Sequence, residues 1–317
     1  MKAVILNEFG GRDVLKVADV PKPEPGPGEV RIEVVAAGVN PVDWKIREGY
    51  LKDRLPNQFP IILGWDVAGR IDAVGTDVSA WQVGDEVYSY VRKPVIQHGA
   101  YAEYVTFDAA HIARKPESFS FEEAASVPLA ALTAYQSLFD AGNLQPGERV
   151  LIHAAAGGVG GFAVQLARVT GAMVWGTASE ANHVYLNELG ADHVVDYHAV
   201  GVWDQLKESV PDGMDLIYDC IGGDTFDQSI PLLSTQGRIV SILEPDRCQS
   251  LMEQGTAAFY VFVEPNGEQL AKLTALADSG SIKTHLAAVL PLEDAARAHE
   301  LIESLHTRGK IVLKVRD

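Results

Sequence analysis

Hydrophobic and polar positions follow two different patterns along this chain, and the pattern changes near residue 120. Before that point, residues 30–34 alternate apolar and charged side chains, which predicts a half-buried strand. Glycines recur at close intervals between residues 64 and 84 and interrupt short apolar runs, as in a small, strongly bent β-barrel. The proline-rich residues 21–28 are incompatible with a helix or a central strand and predict an extended surface connection.

The second pattern begins with Ser120 and Glu123, a residue pair that favours the start of a helix. Between residues 149 and 241, near-continuous apolar strands alternate with amphipathic helices, which predicts a parallel, doubly wound sheet. The predicted strands are residues 150–153, 173–177, 193–196, 216–219 and 238–241, and the predicted helices include 158–170, 182–189 and 203–210.

The last part of the chain returns to shorter elements. Helices are predicted near residues 268–278 and 292–303, and the alternating residues 310–315 predict a final strand. We expect three segments: a β-rich domain at residues 1–120, a dinucleotide-binding domain at 121–262, and a return to the first domain at 263–317. The fold class is therefore α/β, with a doubly wound parallel sheet and a β-barrel domain.

Length and charge narrow the class of protein. A chain of 317 residues fits two hydrophobic cores, because one core rarely grows beyond about 250–300 residues. The formal net charge of −17 disfavours nucleic acid and anionic membrane surfaces as partners. No apolar run reaches the length of about 20 residues that crosses a bilayer. With two cysteines that lack paired spacing, Cys220 and Cys248, we expect a reducing cytoplasm.

The strongest motif lies between the strand at 150–153 and the helix that follows it. Ala155, Gly157 and Gly160 match the dinucleotide fingerprint, with alanine in place of the first glycine. Gly157 allows the backbone to approach a pyrophosphate, and Gly160 allows close packing of helix and strand. The helix start, with Gly158 and Val159, offers free N–H groups to the phosphates. An unliganded glycine-rich turn is the structural alternative.

The end of the next strand distinguishes NADP from NAD. An NAD site usually has an Asp or Glu there, which binds the ribose hydroxyls and would repel a 2′-phosphate. Residues 176–179 contain no carboxylate, although Glu180 follows. The polar side chains that could donate hydrogen bonds to a 2′-phosphate are Thr177, Ser179, Asn182 and His183. The sequence therefore favours NADPH, and ordinary polar residues at a helix start are the alternative.

Several motifs together resemble the zinc-free quinone oxidoreductase branch of the medium-chain dehydrogenase/reductase superfamily. They are Ala-Gly-Val-Asn-Pro-Val-Asp at 37–43, Gly-Ala-Tyr-Ala-Glu-Tyr at 99–104, Leu-Thr-Ala at 132–134, the glycine loop at 155–160, Leu-Gly-Ala-Asp at 189–192, Asp-Cys-Ile-Gly-Gly at 219–223 and Arg-Gly-Lys at 308–310. The resemblance extends over essentially the whole chain. It implies a GroES-like catalytic domain, a Rossmann domain, and a cleft between them for NADPH and substrate.

The resemblance also implies particular cofactor contacts. They are Thr133, Val159, Ser179, His183 and Tyr197, with Leu243, Phe262, Val263 and Lys310 as further carry-overs. His183 stands where many relatives have lysine, which would make a 2′-phosphate contact weaker and pH-sensitive. The family habit also implies a homodimer formed through the Rossmann sheet.

The positions that hold catalytic zinc in the alcohol dehydrogenase branch carry other residues here. Asn40 stands near the cysteine position, and Gly-Trp-Asp at 64–66 replaces Gly-His-Glu. A catalytic zinc needs three protein ligands, which Asp66 alone does not supply, so we predict no metal site. Without a metal to polarise an alkoxide, the accessible reaction is hydride donation to an electron-poor acceptor, either a quinone or an α,β-unsaturated carbonyl.

Such an acceptor needs a hydrogen-bond donor at its carbonyl oxygen, where negative charge develops. The candidate catalytic residues are Asn40, Lys45 and Tyr50. Each has a structural alternative: Asn40 as a turn cap or a ribose contact, Lys45 as a solvated charge, and Tyr50 as a packing residue. Asp43 is expected to orient its neighbours, and solvent is the alternative proton source.

The sequence thus predicts an NADPH-dependent, zinc-independent reductase of small electrophilic molecules. Two other functions fit the same residues. One is a zinc-dependent alcohol dehydrogenase with unusual ligands, and the other is an NADPH-binding sensor with little turnover, because a glycine loop binds its ligand without catalysis.

Overall fold

A computed structural model describes residues 1–304 and 307–316 of the chain. It divides into two compact units. The first contains Met1–Leu132 and the described residues from Glu264 onwards, and the second contains Thr133–Val263. None of the described helices is long and apolar enough to cross a membrane.

The strands are β1 (Lys2–Leu6), β2 (Lys16–Asp19), β3 (Glu29–Val39), β4 (Asn57–Ile62), β5 (Asp66–Val74), β6 (Glu86–Tyr90), β7 (Ile96–His98), β8 (Tyr104–Asp108), β9 (Ala113–Arg114), β10 (Arg149–Ile152), β11 (Met173–Ala178), β12 (His193–Asp196), β13 (Met214–Asp219), β14 (Leu233–Ser241), β15 (Ala257–Tyr260), β16 (Leu286–Pro291) and β17 (Lys310–Lys314). The α-helices are α1 (Pro41–Arg47), α2 (Phe121–Ala125), α3 (Pro128–Tyr135), α4 (Gly158–Thr170), α5 (His183–Leu189), α6 (Val202–Ser209), α7 (Gly223–Ser229), α8 (Pro245–Glu253), α9 (Gly267–Asp278) and α10 (Ala295–Glu303).

The first unit is organised around the long strand β3. β3 pairs with β5, β8 and β17, all antiparallel, and two register shifts interrupt its pairing with β5. Such irregularities bend a strand and increase its twist. Because Ile311 on β17 lies opposite Val39, the end of the chain lies beside the residue at which β3 leads into α1. This register places Lys310 next to Asn40.

The first unit extends beyond residue 120, where the sequence suggested a boundary. Helix α2 begins after Ser120, whose hydroxyl accepts a hydrogen bond from the Glu123 amide at 3.1 Å, as its residue pattern predicts. The helix packs against β3 and β5, and Ala124 and Ala125 are fully buried. These contacts keep α2 with the β-rich unit rather than with the second one.

The second unit contains a six-stranded parallel sheet in the order β12-β11-β10-β13-β14-β15. This is the strand order of a dinucleotide-binding doubly wound fold. Val150 on β10 lies opposite both Val174 and Leu216, so apolar strands flank β10 on both sides. Since the strands are parallel, their carboxyl ends all lie at one edge of the sheet. The predicted parallel α/β sheet is confirmed.

Two elements differ from the sequence interpretation. The sequence interpretation gives no helix for residues 244–255, yet Pro245–Glu253 forms α8, with proline in its first turn. The helix predicted from residue 292 begins with a 3₁₀ turn, Leu292–Asp294, and becomes α-helical at Ala295.

Candidate active site

The glycine-rich loop of the second unit depends on the backbone of Ala154. Its φ is +50°, a left-handed conformation that non-glycine residues rarely adopt. Its carbonyl oxygen accepts a hydrogen bond from the Gly157 amide at 2.9 Å. A Cβ atom on Gly160 would collide with that same oxygen, so only glycine fits where α4 passes over the loop. Gly160 is therefore required by close packing of the backbone.

Helix α4 begins at this loop with free N–H groups. Gly157 is its N-cap, and no side chain in the described part of the chain caps it. The first N–H groups of a helix lack intrahelical partners and carry a partial positive charge. Gly157, Gly158 and Val159 are partly exposed, so an anionic group can reach them. This start of α4 fits the pyrophosphate of a dinucleotide.

The other predicted cofactor residues of the second unit follow the carboxyl ends of its parallel strands. Ser179, Asn182 and His183 follow β11, Tyr197 follows β12, Leu243 follows β14, and Phe262 and Val263 follow β15. Ligands of open parallel sheets bind at this edge. Thr133 differs, because it is buried on α3 and not at a strand end.

Ser179 and Thr177 occupy different environments, although both were predicted to face a 2′-phosphate. Ser179 is partly exposed, and its hydroxyl accepts a hydrogen bond from Asn182 Nδ2 at 3.1 Å. Thr177 has 2% of its surface exposed, and its hydroxyl contacts the His153 ring at 3.2 Å and the Ala154 amide at 3.3 Å. The structure thus places Thr177 beneath the glycine loop, where its hydroxyl contacts His153 and Ala154.

His153 is a buried histidine directly after β10. Burial lowers its pKa to about 4, although the negative charge of Asp219 acts in the opposite direction. The ring is therefore neutral at neutral pH. Its Nε2 lies 2.8 Å from the hydroxyl of Ser229 on α7. His153 joins the end of β10 to β11 and α7 through hydrogen bonds.

Asp219 and Ser241 fix the loops that follow β13 and β14. The sequence motif at 219–223 includes Asp219, but no role in the site was predicted for either residue. The Ser241 hydroxyl donates to Asp219 Oδ2 at 2.6 Å and accepts hydrogen bonds from the amides of Leu243 and Glu244 at 3.1 Å. Asp219 also accepts from the amides of Ile221 and Gly222. An aspartate at the end of an apolar strand was the available signal.

In the first unit, a buried polar cluster surrounds Asn40, which has 1% of its surface exposed. Its Nδ2 donates to Asp66 Oδ2 at 2.8 Å, and its Oδ1 accepts from Lys310 Nζ. With these two partners the amide group has one orientation. Asn40 precedes Pro41, the first residue of α1, as the turn-cap interpretation also requires.

Asp43 holds the backbone around Asn40. Its carboxylate accepts hydrogen bonds from the Asn40 amide at 2.8 Å, the Gly64 amide at 3.2 Å and the Tyr101 hydroxyl at 3.1 Å. Complete burial nevertheless raises the pKa of Asp43 to about 7, and the nearby Asp66 contributes to this rise. The expectation that Asp43 orients its neighbours agrees with these contacts.

Asp66 and Lys310 form a buried pair of opposite charges, with the Lys310 ammonium 3.6 Å from Asp66 Oδ2. Desolvation raises the pKa of Asp66 and lowers that of Lys310, while their mutual attraction acts against both shifts. Asp66 also accepts from the Leu129 amide at 2.7 Å. Lys310, predicted as a cofactor contact, is 4% exposed and is used within this cluster.

Lys45 and Tyr50 lie outside the buried cluster. Lys45 is partly buried on α1, and desolvation lowers its pKa. Tyr50 has 69% of its surface exposed and packs edge-to-face on Trp44, with ring centroids 5.8 Å apart. The structure therefore does not bring Tyr50 into contact with Asn40, and of the three predicted catalytic residues only Asn40 belongs to the cluster.

Helix α1 is held by a buried arginine. Arg47 donates to Glu303 on α10 at 2.7 Å and to the Gly10 carbonyl at 3.1 Å, and its Nη1 lies 3.2 Å from His299 Nδ1. Burial and the charge of Arg47 lower the pKa of His299 to about 3. A neutral histidine beside the guanidinium avoids repulsion between like charges.

Among the described residues, no group of three or more His, Cys, Asp or Glu side chains lies close enough together to hold a metal ion. Asp66 instead has nitrogen donors around it, and one of them carries a positive charge.

Two family models match this chain. The model of an alcohol dehydrogenase GroES-like domain matches residues 26–117, and that of a zinc-binding dehydrogenase matches residues 189–313. The first lies in the β-rich unit, so the expected GroES-like domain is confirmed.

Relatives align over nearly the whole chain. The human quinone oxidoreductase is 34% identical, over 99% of this chain and 97% of its own length. The human synaptic vesicle membrane protein VAT-1 homolog is 35% identical, with coverages of 99% and 86%. The chloroplastic NADPH-dependent alkenal/one oxidoreductase of Arabidopsis thaliana is 34% identical, with coverages of 99% and 79%.

Solved structures agree. The quinone oxidoreductase of Coxiella burnetii superposes with a TM-score of 0.89 at 38% identity, over 100% of this chain and 99% of the other. The chain belongs to the quinone oxidoreductase branch of the medium-chain dehydrogenase/reductase superfamily. A mycobacterial protein solved in complex with NADPH has a TM-score of 0.85 at 32% identity, with coverages of 99% and 100%. Relatives of this branch named as oxidoreductases make this chain an oxidoreductase of the family.

The Asp66–Lys310 pair gives a prediction about stability. The substitution Lys310→Met leaves the buried Asp66 carboxylate without its cation and is expected to lower the free energy of unfolding by about 3–5 kcal/mol. The double variant with Asp66→Asn is expected to lose less than the sum of the two single variants. Urea unfolding measures both, with the exposed Lys16→Met as a matched control. Additive losses would contradict the coupling.

Asp43 gives a prediction about pH. Because its folded pKa lies near 7 and its ordinary value near 3.8, the folded state binds more protons between these pH values. The Asp43 contribution to stability is therefore complete below about pH 4 and is lost as pH rises through 7. We expect the unfolding free energy of the wild type, relative to that of Asp43→Asn, to fall between pH 5 and pH 8 in urea titrations. A difference that stays constant or rises would refute the assignment.

Proposed function

We propose that this protein is an NADPH-dependent reductase that transfers hydride to a quinone or an α,β-unsaturated carbonyl without zinc. The observation that carries the proposal is the uncapped start of α4 at the glycine loop, together with a β11 end that lacks a carboxylate. The first feature suits a pyrophosphate and the second suits a 2′-phosphate.

The preference for NADPH rests on Ser179, Asn182 and His183. All three are partly exposed where β11 ends, and each can donate a hydrogen bond to a phosphate oxygen. The neighbouring Glu180 is exposed and acts against NADPH binding, because its negative charge repels a phosphate. The Arabidopsis relative named as NADPH-dependent and the NADPH complex of the mycobacterial neighbour support the same choice.

A bound nicotinamide would supply the hydride, and the protein would supply orientation and a hydrogen-bond donor. Asn40 is suited to orientation, because Asp66 and Lys310 fix its amide group. Lys45 is suited to donation, because partial burial lowers its pKa and eases loss of a proton. Tyr50 is exposed, so a substrate could reach its hydroxyl, and solvent is the other source of the proton.

Zinc independence rests on the surroundings of Asp66. Its carboxylate already accepts hydrogen bonds from Asn40 and Leu129 and lies beside the Lys310 ammonium. A divalent cation at this carboxylate would be repelled by that ammonium and would lack the further ligands that zinc requires. The homodimer and the cytoplasmic location expected from the sequence stay predictions.

The cofactor assignment is tested by titration of the cofactor-free protein with NADPH and NADH, followed by nicotinamide fluorescence. We expect NADPH to bind at least about tenfold more tightly, a difference of about 1.4 kcal/mol that one charge-assisted hydrogen bond can supply. NADPH consumption with quinones and enones then tests turnover. Equal or tighter binding of NADH would indicate that Glu180 holds the ribose. Binding of neither cofactor would refute the reductase, and NADPH binding without turnover would favour a sensor.

Metal analysis tests the proposed zinc independence. We expect the purified protein to contain far less than one zinc ion per chain, and dialysis against a chelator to leave enone reduction unchanged. The reason is that Asp66 has no set of metal ligands around it in the part of the chain that the structure describes. One tightly held zinc ion per chain, lost together with activity, would instead support the alcohol dehydrogenase alternative.

A further inference from the structure

Thr177 and His153 belong to a continuous chain of hydrogen bonds beneath the glycine loop. Thr177 is on β11, His153 follows β10, and Ser229 is the last residue of α7. All three side chains are buried, with exposures of 2%, 0% and 0%.

The direction of each hydrogen bond follows from the last member of the chain. The single hydroxyl proton of Ser229 is donated to the Thr225 carbonyl at 2.6 Å. Ser229 must therefore accept at its other contact, so the proton of the neutral His153 ring is on Nε2, 2.8 Å away.

His153 Nδ1 then carries a lone pair and accepts the hydroxyl proton of Thr177 at 3.2 Å. The Thr177 oxygen in turn accepts from the Ala154 amide at 3.3 Å. The four bonds run in one direction, from the Ala154 amide to the Thr225 carbonyl.

This series of hydrogen bonds begins at the amide of Ala154, the residue that shapes the glycine loop. Ala154 has the left-handed φ of +50°, which needs support from its surroundings in a residue with a Cβ. Its amide is held by the Thr177 hydroxyl, and the next amide, that of Ala155, donates to the Thr177 carbonyl at 3.0 Å. Its carbonyl accepts from Gly157 and packs under Gly160. The orientation of Ala154 thus determines where the loop and the start of α4 lie.

We propose that His153 and Thr177 are positioning residues that hold Ala154, and through it the glycine loop, in the conformation that binds the dinucleotide. The inference rests on the proposed function for the identity of the ligand. It also removes Thr177 from the group that recognises a 2′-phosphate and leaves that recognition to residues such as Ser179.

The two roles differ in their effect on cofactor selectivity. A residue that shapes the pyrophosphate loop affects NADPH and NADH equally, because both carry the pyrophosphate. A residue that contacts the 2′-phosphate affects NADPH alone. The ratio of the two dissociation constants therefore separates positioning from contact.

The experiment compares Thr177→Val with Ser179→Ala by fluorescence titration with both cofactors. Thr177→Val keeps the shape of the side chain and removes its hydroxyl. We expect it to weaken both cofactors by about tenfold, the equivalent of one buried hydrogen bond, with an unchanged ratio. Ser179→Ala is expected to weaken NADPH alone. Thr177→Ser restores a hydroxyl and should recover most of the lost affinity for both cofactors.

Two results of Thr177→Val would overturn the proposal: a loss confined to NADPH, or no loss for either cofactor. Ser229→Ala is the second variant in case Thr177→Val does not fold. It removes the acceptor of the His153 proton and should also weaken both cofactors equally. Thermal unfolding without cofactor verifies that each variant is folded.

If the wild type binds neither nucleotide, a measurement without cofactor tests the chain of hydrogen bonds. In ¹⁵N-histidine NMR spectra, with His153→Gln to assign the signals, we expect a protonated Nε2 and an unprotonated Nδ1 that responds to Thr177→Val. The opposite tautomer would refute the chain of hydrogen bonds. Failure of the wild type to bind any cofactor, with the expected tautomer present, would refute the proposed function instead.

Discussion

Parallel pairing of β10 with β11 on one side and β13 on the other is the constraint on which the second unit depends. It brings the carboxyl ends of the strands to one edge and makes residues far apart in sequence into neighbours. Buried polar side chains then join the strand ends. His153, after β10, contacts Thr177 of β11, and Asp219 of β13 accepts a hydrogen bond from Ser241 of β14. The loops at this edge are therefore held from below, and their outer surfaces stay available for a ligand.

The first unit differs in that it buries charged side chains. Asp43 and Asp66 are both fully buried, and each has several donors around its carboxylate. Buried carboxylates are tolerated only when such partners compensate for lost hydration. The partners come from distant parts of the chain, because β17 returns beside β3 and delivers Lys310. The first and last parts of the sequence thus complete one cluster.

The sequence predicts the second unit well because each strand and each helix there is marked by a pattern of apolar residues within its own short stretch of sequence. The helix predicted at residues 158–170 has those bounds in the structure, and the strand at 193–196 does as well. The partners of Asn40 could not be predicted, since Asp66 and Lys310 join it only through sheet register. The burial of Thr177 and its contact with His153 could not be predicted for a related reason. Counting residues locates the end of β11, but it does not show which side of the loop a side chain faces.

The alanine at position 154 has a consequence for the free protein. Glycine would adopt the same left-handed backbone more easily, but it would also reach many other conformations. Alanine has fewer alternatives, and its amide is held by Thr177 before any ligand arrives. A loop restricted in this way loses little conformational entropy on association, so more of the contact energy appears as affinity. The conformational entropy of Ala154 is thus lost once, when the protein folds, and is not lost again each time a ligand binds.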